Sequence, residues 1–448
     1  AWIAAREGEA GIVIGTRSAI FTPLARPGLI IVDEEHDLSY KQQEGLRYNA
    51  RDLAVYRAHL EDVAIILGSA TPSLESLHNV EQGRYQLLRL SQRAGNAKPP
   101  SFQCLDIRSR PLEGGLSRPL TLLIGDHLNK GNQVLVFINR RGFAPTLMCH
   151  DCGWIAECKR CDARMTVHQS PAHLHCHHCN SQRPLDKHCP KCQGTDLRPL
   201  GAGTERTEEY LNERFPDFPV LRIDRESMSR KKAMQQMMET IQSAQPCILV
   251  GTQMLAKGHH FPDVTLVAIL DADGGLFSAD FRGPERMAQM ITQVAGRAGR
   301  AEKPGQVIIQ THMAEHPLLI ELTEQGYAAI AKRELAERAV SQLPPYRFMA
   351  LLRAEANNAY AANQFLEEAL QQAEQLVAQH QLDEIDLLGP VPSPMERRAG
   401  RYRAQLLLQA AQRSTLHQVV HLLLPILEQH PESRRVRWSI DIDPLDMF

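Results

Sequence analysis

The chain has 448 residues, enough for about three domains with separate apolar cores. Its 50 Lys and Arg are balanced by 52 Asp and Glu, so nucleic-acid binding would have to come from local basic patches. No uninterrupted apolar run approaches the ~20 residues of a membrane span. We therefore expect a protein of the reducing cytoplasm with no membrane association.

Six short apolar runs predict the strands of an α/β fold. They cover residues 29–32, 64–67, 134–138, 247–250, 266–270 and 307–309. Helical patterns at 230–241 and 284–294 lie between them. Continuous apolar runs of this kind are typical of buried parallel strands, and functional groups in such sheets lie at the carboxyl ends of the strands.

Polar motifs follow the first two of these strands. Asp33 and Glu34 open the sequence DEEH, where an acidic residue can hold Mg²⁺ and its neighbour can orient a water for phosphoryl transfer. A surface acidic turn that starts a helix is the alternative. In the second motif, GSATP, the hydroxyl groups of Ser69 and Thr71 either relay a hydrogen-bond change or cap a helix that begins near Ser73. Taken alone, the second motif favours capping.

Two further motifs lie at residues 251–264 and 293–300. In the second, Arg297 and Arg300 are three residues apart on a predicted helix, so both guanidinium groups can project from one face towards a polyphosphate. A solvated helix face is the alternative. The small residues Gly296, Ala298 and Gly299 favour close packing beside the arginines.

Eight of the ten cysteines form four Cys-x-x-Cys pairs, which predict two closed tetrahedral zinc sites. The pairs are Cys149/Cys152, Cys158/Cys161, Cys176/Cys179 and Cys189/Cys192. Buried unmetallated thiols and a disulfide framework are the alternatives. Because all ligands are thiolates and no position is open, both sites are expected to be structural.

The spacing of the pairs favours a nested order. Fourteen residues between Cys161 and Cys176 suit a zinc ribbon, whereas five between Cys152 and Cys158 leave little chain to fold round one ion. The outer two pairs would form one site and the inner two the other. Seven histidines in this segment are expected to be solvated or hydrogen-bonded rather than ligands: His150, His168, His173, His175, His177, His178 and His188.

The last hundred residues predict a small α+β domain. After a helical pattern from 318 to 340, the patterns give a strand at 351–356, a helix at 360–380, a strand at 403–409, a helix at 414–429 and a strand at 436–442. A basic run before the second strand contains Arg397, Arg398 and Arg401 with an adjacent tyrosine. It suits backbone recognition of DNA; a solvated charged loop is the alternative.

The motifs DEEH, GSATPS, VLVFINRRGFAP, GTQMLAKGHHFPDV and QVAGRAGR, in this order, resemble motifs II to VI of superfamily 2 helicases. With the cysteine pairs inserted between motifs IV and V, the chain resembles bacterial primosomal replication-restart helicases over essentially its whole length. The resemblance implies ATP-dependent 3′–5′ unwinding of branched and single-stranded DNA at stalled forks. It also implies partnership with single-strand-binding protein and other primosome proteins, and we expect a monomer.

By this resemblance Asp33 would coordinate Mg²⁺ and Glu34 would position the water. Gln293, Arg297 and Arg300 would approach ATP from the second lobe, with both arginines on the γ-phosphate. The remaining assignments place Gly258 and Asp263 at the closing cleft and Thr252 towards the DNA backbone. Residues 37–48 resemble an aromatic-rich loop that couples DNA binding to hydrolysis, in which Tyr40 and Tyr48 would stack on bases and Lys41 and Arg47 would meet phosphates. A plain surface loop is the alternative.

One departure concerns the phosphate-binding loop of such helicases. The chain contains no Gly-Lys dipeptide, and residues 12–21 resemble the motif just before DEEH. We therefore expect a carboxy-terminal part of a longer protein that does not hydrolyse ATP by itself. The expected fold is α/β, with RecA-like helicase lobes of which the first is incomplete, an inserted two-zinc module and a small α+β domain.

The expected domains are residues 1–118 for the remainder of the first lobe, 119–340 for the second lobe, 149–200 for the zinc module and 341–448 for a DNA-binding domain. The zinc module would serve as a rigid pin that separates strands, or as a platform for partners. A non-enzymatic zinc-containing scaffold for fork DNA is the alternative function, and a zinc-ribbon transcription or RNA factor is a more distant one.

Overall fold

The computed structural model describes the chain apart from residues 91–98, 139–145, 161–163, 170–171, 177–180, 200–203, 224–238, 253–260, 262, 279, 300–302, 399 and 448. Two compact units are present. The first combines Ala1–Leu87 with Leu335–Phe448, and the second is Leu88–Glu334.

Residues 1–87 contain a few elements around two strands. The elements are α1 (Trp2–Arg6), β1 (Leu29–Asp33), α2 (Ala50–Leu60), β2 (Ala64–Gly68) and α3 (Leu74–Glu81). The strands β1 and β2 pair in parallel, from Leu29 opposite Ala64 to Asp33 opposite Gly68. The prediction that these runs are fully buried is wrong, because Ile31 is 63% exposed and Ile66 47% exposed. The two strands therefore present an apolar face.

The second unit contains β3 (Ser101–Asp106), β4 (Leu112–Glu113), β5 (Leu116–Ser117), α4 (Arg118–Asn129), β6 (Gln133–Ile138), β7 (Leu147–Cys149), β8 (Thr166–Gln169), β9 (Ala172–His175), β10 (Gln182–Arg183), β11 (Leu197–Pro199), α5 (Thr204–Arg214), β12 (Val220–Ile223), β13 (Ile248–Gly251), β14 (Val264–Leu270), α6 (Asp273–Leu276), α7 (Gly283–Ala295), β15 (Gln306–Thr311), α8 (Pro317–Gln325) and α9 (Tyr327–Val340), the last of which runs on into the first unit.

The core of the second unit is a six-stranded parallel sheet in the order β12-β13-β6-β14-β15-β3. Strands β6, β13 and β14 are buried along their whole length, which confirms the parallel strands predicted from their apolar runs. Strand β3 forms one edge. Residues 101–106 therefore belong to this sheet, and the boundary that we expected at residue 118 is wrong.

Two helix predictions need correction. The pattern from 318 to 340 predicted one helix, but Gly326 ends α8 with φ +79° and α9 starts at the next residue. Helix α7 ends at Ala295, so Arg297 lies in the turn beyond it and not on a helix. Gly299 in the same turn has φ +67°, and a Cβ there would lie 2.6 Å from the backbone nitrogen of Gly305.

The carboxy-terminal domain has the elements β16 (Phe348–Ala356), α10 (Ala359–Gln379), β17 (Ile385–Arg398), β18 (Arg401–Ala410), α11 (Arg413–Gln429) and β19 (Arg437–Ile442). Its antiparallel sheet has the order β17-β18-β16-β19. Helices α10 and α11 pack on one face through a core that includes Phe365, Leu406 and Leu423. The predicted α+β layer is confirmed.

Strand β17 was not predicted, and its sequence is rich in proline. Pro390, Pro392 and Pro394 all lie within it. Proline lacks the N–H group that a ladder needs, so it is tolerated mainly in edge strands, and β17 is an edge of this sheet. In the described part of the chain, every helix is too short or too polar to cross a bilayer.

Candidate functional site

The acidic turn after β1 lies at the carboxyl end of a parallel strand pair, as predicted. Asp33 is the last residue of β1 and faces Gly68 of β2. Glu34 has φ +48°, and its N–H donates to Asp33 Oδ1 at 3.0 Å. The turn thus fixes one carboxylate against its own backbone and leaves the next residue half-buried beside it.

A hydrogen bond joins this turn to the GSATP motif. His36 Nδ1 lies 2.7 Å from Ser69 Oγ, which also accepts the N–H of Thr71 at 2.9 Å. Glu34 Oε2 lies 3.7 Å from the same His36 nitrogen. A helix does begin next to Ser73, as predicted, but its cap is Ser73 itself and neither Ser69 nor Thr71. Ser69 instead connects the two motifs, so capping does not account for the whole of the second motif.

Glu35 anchors the turn to α3. Its side chain is 1% exposed and accepts hydrogen bonds from the N–H of Ser73 at 2.7 Å and from the hydroxyls of Ser73 and Ser76 at 3.0 Å each. Arg51 of α2 supplies the counter-charge at 3.2 Å. A buried carboxylate with four donors is a rigid joint, because losing any partner leaves a desolvated charge.

Residues 37–49, which we call loop 37–49, pack within the first unit. The Tyr40 hydroxyl donates to the carbonyl of Asp33 at 2.7 Å. Burial, and then the charge of Asp33, raise the pKa of Tyr40, so the phenol remains a donor at neutral pH. Tyr48 packs edge-on against Phe21, with ring centroids 5.0 Å apart, and Arg47 is partly exposed.

Lys41 does not project to solvent. Its Nζ lies 2.8 Å from Asp441 Oδ1 of β19, and the two side chains are 4% and 6% exposed. In this conformation the lysine is unavailable to a phosphate. Contact between Lys41 and DNA would require the lysine to leave Asp441, and it stays a prediction.

Four cysteines converge in the second unit. The sulfurs of Cys149, Cys152, Cys189 and Cys192 all lie within 4.8 Å of one another, and the pairs Cys149/Cys192 and Cys152/Cys189 are each 3.6 Å apart. With Zn–S bonds of about 2.3 Å, a tetrahedron requires sulfurs about 3.8 Å apart. The cluster fits zinc, and it contains the two outer pairs that the nested order assigned to one site.

The inner pairs are described only in part. Cys158 and Cys176 are buried in one small apolar cluster with Met165 and Leu174. Cys161 and Cys179 lie outside the described residues. Among the eight described cysteines none forms a disulfide.

A buried chain of hydrogen bonds ties the cysteine cluster to the parallel sheet. His150 Nε2 lies 2.7 Å from the carbonyl of Arg110, and its Nδ1 lies 2.8 Å from His312 Nε2. His312 Nδ1 lies 2.6 Å from Asp273 Oδ2, and the Thr311 hydroxyl donates to the other oxygen of that carboxylate. His312 follows β15, so the chain ends at the carboxyl edge of the sheet.

The acceptors at the two ends fix two of the donors in this chain of hydrogen bonds. A carbonyl and a carboxylate can only accept, so His150 donates from Nε2 to the carbonyl of Arg110 and His312 donates from Nδ1 to Asp273. His150 is thus hydrogen-bonded and not a member of the sulfur cluster, as expected.

Some of the second-lobe motif residues lie in the described part of the chain. Gln293 is half-buried on α7, Arg297 is 7% exposed in the following turn, and Thr252 directly follows the carboxyl end of β13. Gly258 and Arg300 lie outside the described residues.

Asp263 lies at the opposite edge of the sheet. It precedes β14, its carbonyl accepts the N–H of Gln133 at the start of β6, and its side chain lies 3.6 Å from Lys303. The amino ends of parallel strands are not where ligands bind in such sheets, which argues against the predicted cleft role.

Asp271 occupies the carboxyl end of β14. Its φ is +59°, and burial, followed by the charge of Asp273, raises its pKa to about 8. Composition and motif order gave no signal for this residue.

The basic run of the carboxy-terminal domain is a hairpin and not a loop. Arg398 of β17 pairs with Arg401 of β18, and Arg397 lies over the ring of Tyr402 at 5.2 Å. Arg397 and Arg398 are exposed. Glu355 of β16 lies opposite Arg403 on one side and Arg437 on the other. Arg437, which the sequence analysis missed, therefore lies at the same end of the sheet.

Three family models match the chain. Residues 339–445 match "Primosomal protein N C-terminal domain", residues 158–184 match "PriA DNA helicase Cys-rich region (CRR) domain", and residues 199–302 match "Helicase conserved C-terminal domain". The protein "Replication restart protein PriA" of Haemophilus influenzae is 48% identical over 446 residues, covering 100% of this chain and 60% of that protein. The chain belongs to the PriA family.

A second PriA relative, from Bacillus subtilis, is 38% identical over 451 residues and is covered to 55%. The chain thus spans between half and two thirds of the length of these PriA proteins. Among solved structures, RecG bound to a three-way DNA junction is 16% identical with a TM-score of 0.38, covering 74% of this chain and 33% of RecG.

The PriA family models fall on the units described above. The cysteine-rich model spans the two inner cysteine pairs, and the cluster of four thiols lies just outside it. Together they identify a zinc-binding, cysteine-rich region inserted in an α/β helicase unit. The PriA carboxy-terminal model covers the four-stranded domain that bears the arginine hairpin.

Several residues of this PriA chain were not found from sequence. Arg51 and Ser76 hold Glu35, His312 and Asp273 hold His150, and Asp441 holds Lys41. Each partner is far away in sequence, so no spacing pattern marks it. Asp441 lies in β19 among alternating polar and apolar residues, so its burial had no signal in the sequence.

Proposed function

We propose that the chain forms the carboxy-terminal part of an ATP-dependent 3′–5′ DNA helicase that recognises stalled or branched replication forks and initiates primosome assembly. The observation that carries the proposal is the 2.7 Å hydrogen bond between His36 and Ser69. It links the turn that carries Asp33 and Glu34 to a second polar motif at the carboxyl end of a parallel strand pair. PriA relatives with the same order of segments support the assignment.

The ATP site would use residues of this chain from both lobes. Asp33 would hold Mg²⁺, and Glu34 would orient the attacking water and take its proton. Gln293, Arg297 and Arg300 would act from the other lobe, where the arginines would meet charge that develops on the γ-phosphate. Gly258 and Thr252 would line the motif that connects nucleotide and DNA. Bound Mg²⁺ supplies charge neutralisation on the phosphates.

Two structural zinc ions would hold the inserted module. One would bind Cys149, Cys152, Cys189 and Cys192, and the other Cys158, Cys161, Cys176 and Cys179. Closed four-thiolate sites rigidify a small module that lacks a large apolar core. A rigid module of this kind suits a strand-separating pin or a platform for partner proteins.

DNA would be bound at several places. Arg397, Arg398 and Arg401 would contact phosphates from the hairpin, and Tyr40, Tyr48 and Arg47 would contact DNA from loop 37–49. Single-strand-binding protein and other primosome proteins would be the protein partners.

The decisive experiment compares ATP hydrolysis by the 448-residue chain with that by a longer protein that supplies a phosphate-binding loop. The longer protein should show DNA-stimulated hydrolysis, and Glu34→Gln should lower it by about 10²-fold or more because the water loses its base. The chain itself should show none. Hydrolysis unaffected by Glu34→Gln would refute the assigned site.

A scaffold that binds fork DNA without a motor is the second candidate, and it is favoured by the exposed arginines of the carboxy-terminal hairpin and by the cysteine cluster. The same experiment separates the two. Fork binding by the longer protein without any ATP hydrolysis would select the scaffold.

A further inference from the structure

Loop 37–49 is fastened to the carboxy-terminal domain by a buried ammonium. Lys41 Nζ lies 2.8 Å from Asp441 Oδ1 and donates to the carbonyl of Ile442 at 2.5 Å, with the carbonyl of Asp443 at 3.4 Å. One carboxylate and two carbonyls therefore surround the lysine from a single strand, β19, and its turn. These partners come from the opposite end of the sequence.

Asp441 has a second cation available. Arg353 of β16 lies 3.5 Å from Asp441 Oδ2, on the oxygen that Lys41 does not use. If Lys41 leaves, the carboxylate remains compensated by the guanidinium. A buried ion pair adds little net stability, because desolvation offsets its Coulomb attraction. Departure of the lysine is therefore a feasible, reversible change.

Other residues of loop 37–49 also have partners within the first unit. The Tyr40 hydroxyl is bound to the carbonyl of Asp33, and the Arg17 guanidinium donates to the carbonyls of Ser39 and Lys41 at 3.0 and 3.2 Å. Tyr48 packs against Phe21. The loop is thus held at its start, at Lys41 and near its end.

We propose that Asp441 and the carbonyls of Ile442 and Asp443 form a docking site that holds loop 37–49 on the carboxy-terminal domain and competes with DNA phosphate for Lys41. The idea rests on the proposed function, since it assigns DNA as the competitor. A carboxylate and a phosphate are both anions, so exchange moves the ammonium from one to the other. The carboxy-terminal domain thereby sets how readily the loop meets DNA.

The docked state is tested in the 448-residue chain by hydrogen exchange of residues 38–48. Asp441→Asn leaves the shape of the site but removes its charge. It should speed exchange in this segment by about tenfold or more. Glu432→Gln, which breaks the exposed pair of Glu432 with Arg435 in the same domain, is the matched control and should leave the segment unchanged. Unchanged exchange in Asp441→Asn overturns the proposal.

Competition with DNA is tested with a forked duplex that carries one single-stranded arm. Asp441→Asn and Lys41→Met both undock the loop, but only Asp441→Asn keeps the ammonium for phosphate. In the longer protein, Asp441→Asn should lower the DNA concentration for half-maximal ATPase stimulation by about threefold or more, since less of the protein starts docked. Lys41→Met should not lower it. A role limited to stability predicts the same change in both variants, and that result overturns the proposal.

The two readouts separate failure of docking from failure of the proposed function. Exchange of residues 38–48 requires neither ATP nor DNA, so a docked loop can be established even if the longer protein hydrolyses no ATP. Conversely, normal DNA-stimulated hydrolysis with a loop that exchanges equally fast in all variants rejects the docking site and leaves the helicase assignment intact.

Discussion

His150 and His312 lie in contact through Nδ1 and Nε2 at 2.8 Å, and this contact joins the cysteine cluster to the edge of the parallel sheet. One ring directly follows Cys149 and the other directly follows β15. Since Asp273 anchors the pair from the sheet side, the orientation of the cysteine-rich segment depends on groups that bind no metal.

Replacing His312 should loosen that connection without removing zinc. His312→Asn leaves the Asp273 carboxylate without its imidazole partner, and charge-assisted hydrogen bonds of this kind contribute about 1.5–3 kcal/mol. We expect faster hydrogen exchange in residues 147–155 with unchanged zinc content by elemental analysis. His421→Asn, on the exposed side of α11, is the control. Loss of zinc in His312→Asn would show that the histidine supports the ligands directly.

Loss of one cysteine ligand should remove one of the two zinc ions. The wild-type chain should contain two zinc ions, and Cys152→Ser should contain one, because a closed tetrahedral site loses a ligand. Cys104→Ser, outside the four pairs, should retain both. A single ion in the wild-type chain would contradict the assignment of the inner pairs. Chelation should raise exchange within residues 147–199 and leave β6, β13 and β14 protected.

Replacing Glu35 should destabilise the first unit more than replacing either of the other two acidic residues in DEEH. Glu35→Ala removes four hydrogen bonds and leaves Arg51 without its buried carboxylate, so we expect a loss of about 3–5 kcal/mol in unfolding free energy. Urea unfolding of the 448-residue chain, followed through exchange in α3, measures this loss. Exposed Glu9→Gln should change nothing.

The raised pKa of Asp271 should make the stability of the second unit depend on pH. Burial raises its pKa from 3.8 to about 8, so the folded chain binds an extra proton between these values. The stabilisation that this proton gives the folded state is fully present below the unfolded pKa and is lost as pH rises through about 8. Asp271→Asn should therefore gain stability relative to wild type at alkaline pH and much less in acid. Exposed Asp217→Asn should track wild type at every pH in thermal unfolding.

Replacing the arginines of the hairpin should reduce the salt dependence of DNA binding. If Arg397, Arg398 and Arg401 each neutralise one phosphate, the triple alanine variant should reduce the slope of log K against log salt by about 2–3 for duplex DNA. Binding of a fork by fluorescence anisotropy across salt concentrations measures this slope. Arg6→Ala, on exposed α1, should leave it unchanged. An unaltered slope in the triple variant would place the phosphate contacts elsewhere.

Local patterns were sufficient for much of the molecule. Apolar runs located β6, β13, β14 and β15 because strands buried on both faces need apolar residues at every position. Cys-x-x-Cys spacing predicted the sulfur cluster because two thiolates three residues apart can turn onto one ion. The order of short motifs indicated the family, since each motif is local.

Tertiary structure alone decided what depends on distant partners. Strand β17 accommodates its prolines because it lies at the edge of its sheet. The pairing of β3 with β15 places residues 101–106 in the second unit, before the domain boundary that we expected at residue 118. Lys41 looked like a phosphate contact, yet Asp441, 400 positions away, buries it. A side chain's charge is visible in the sequence; whether water, DNA or a carboxylate neutralises it depends on how the chain folds back on itself.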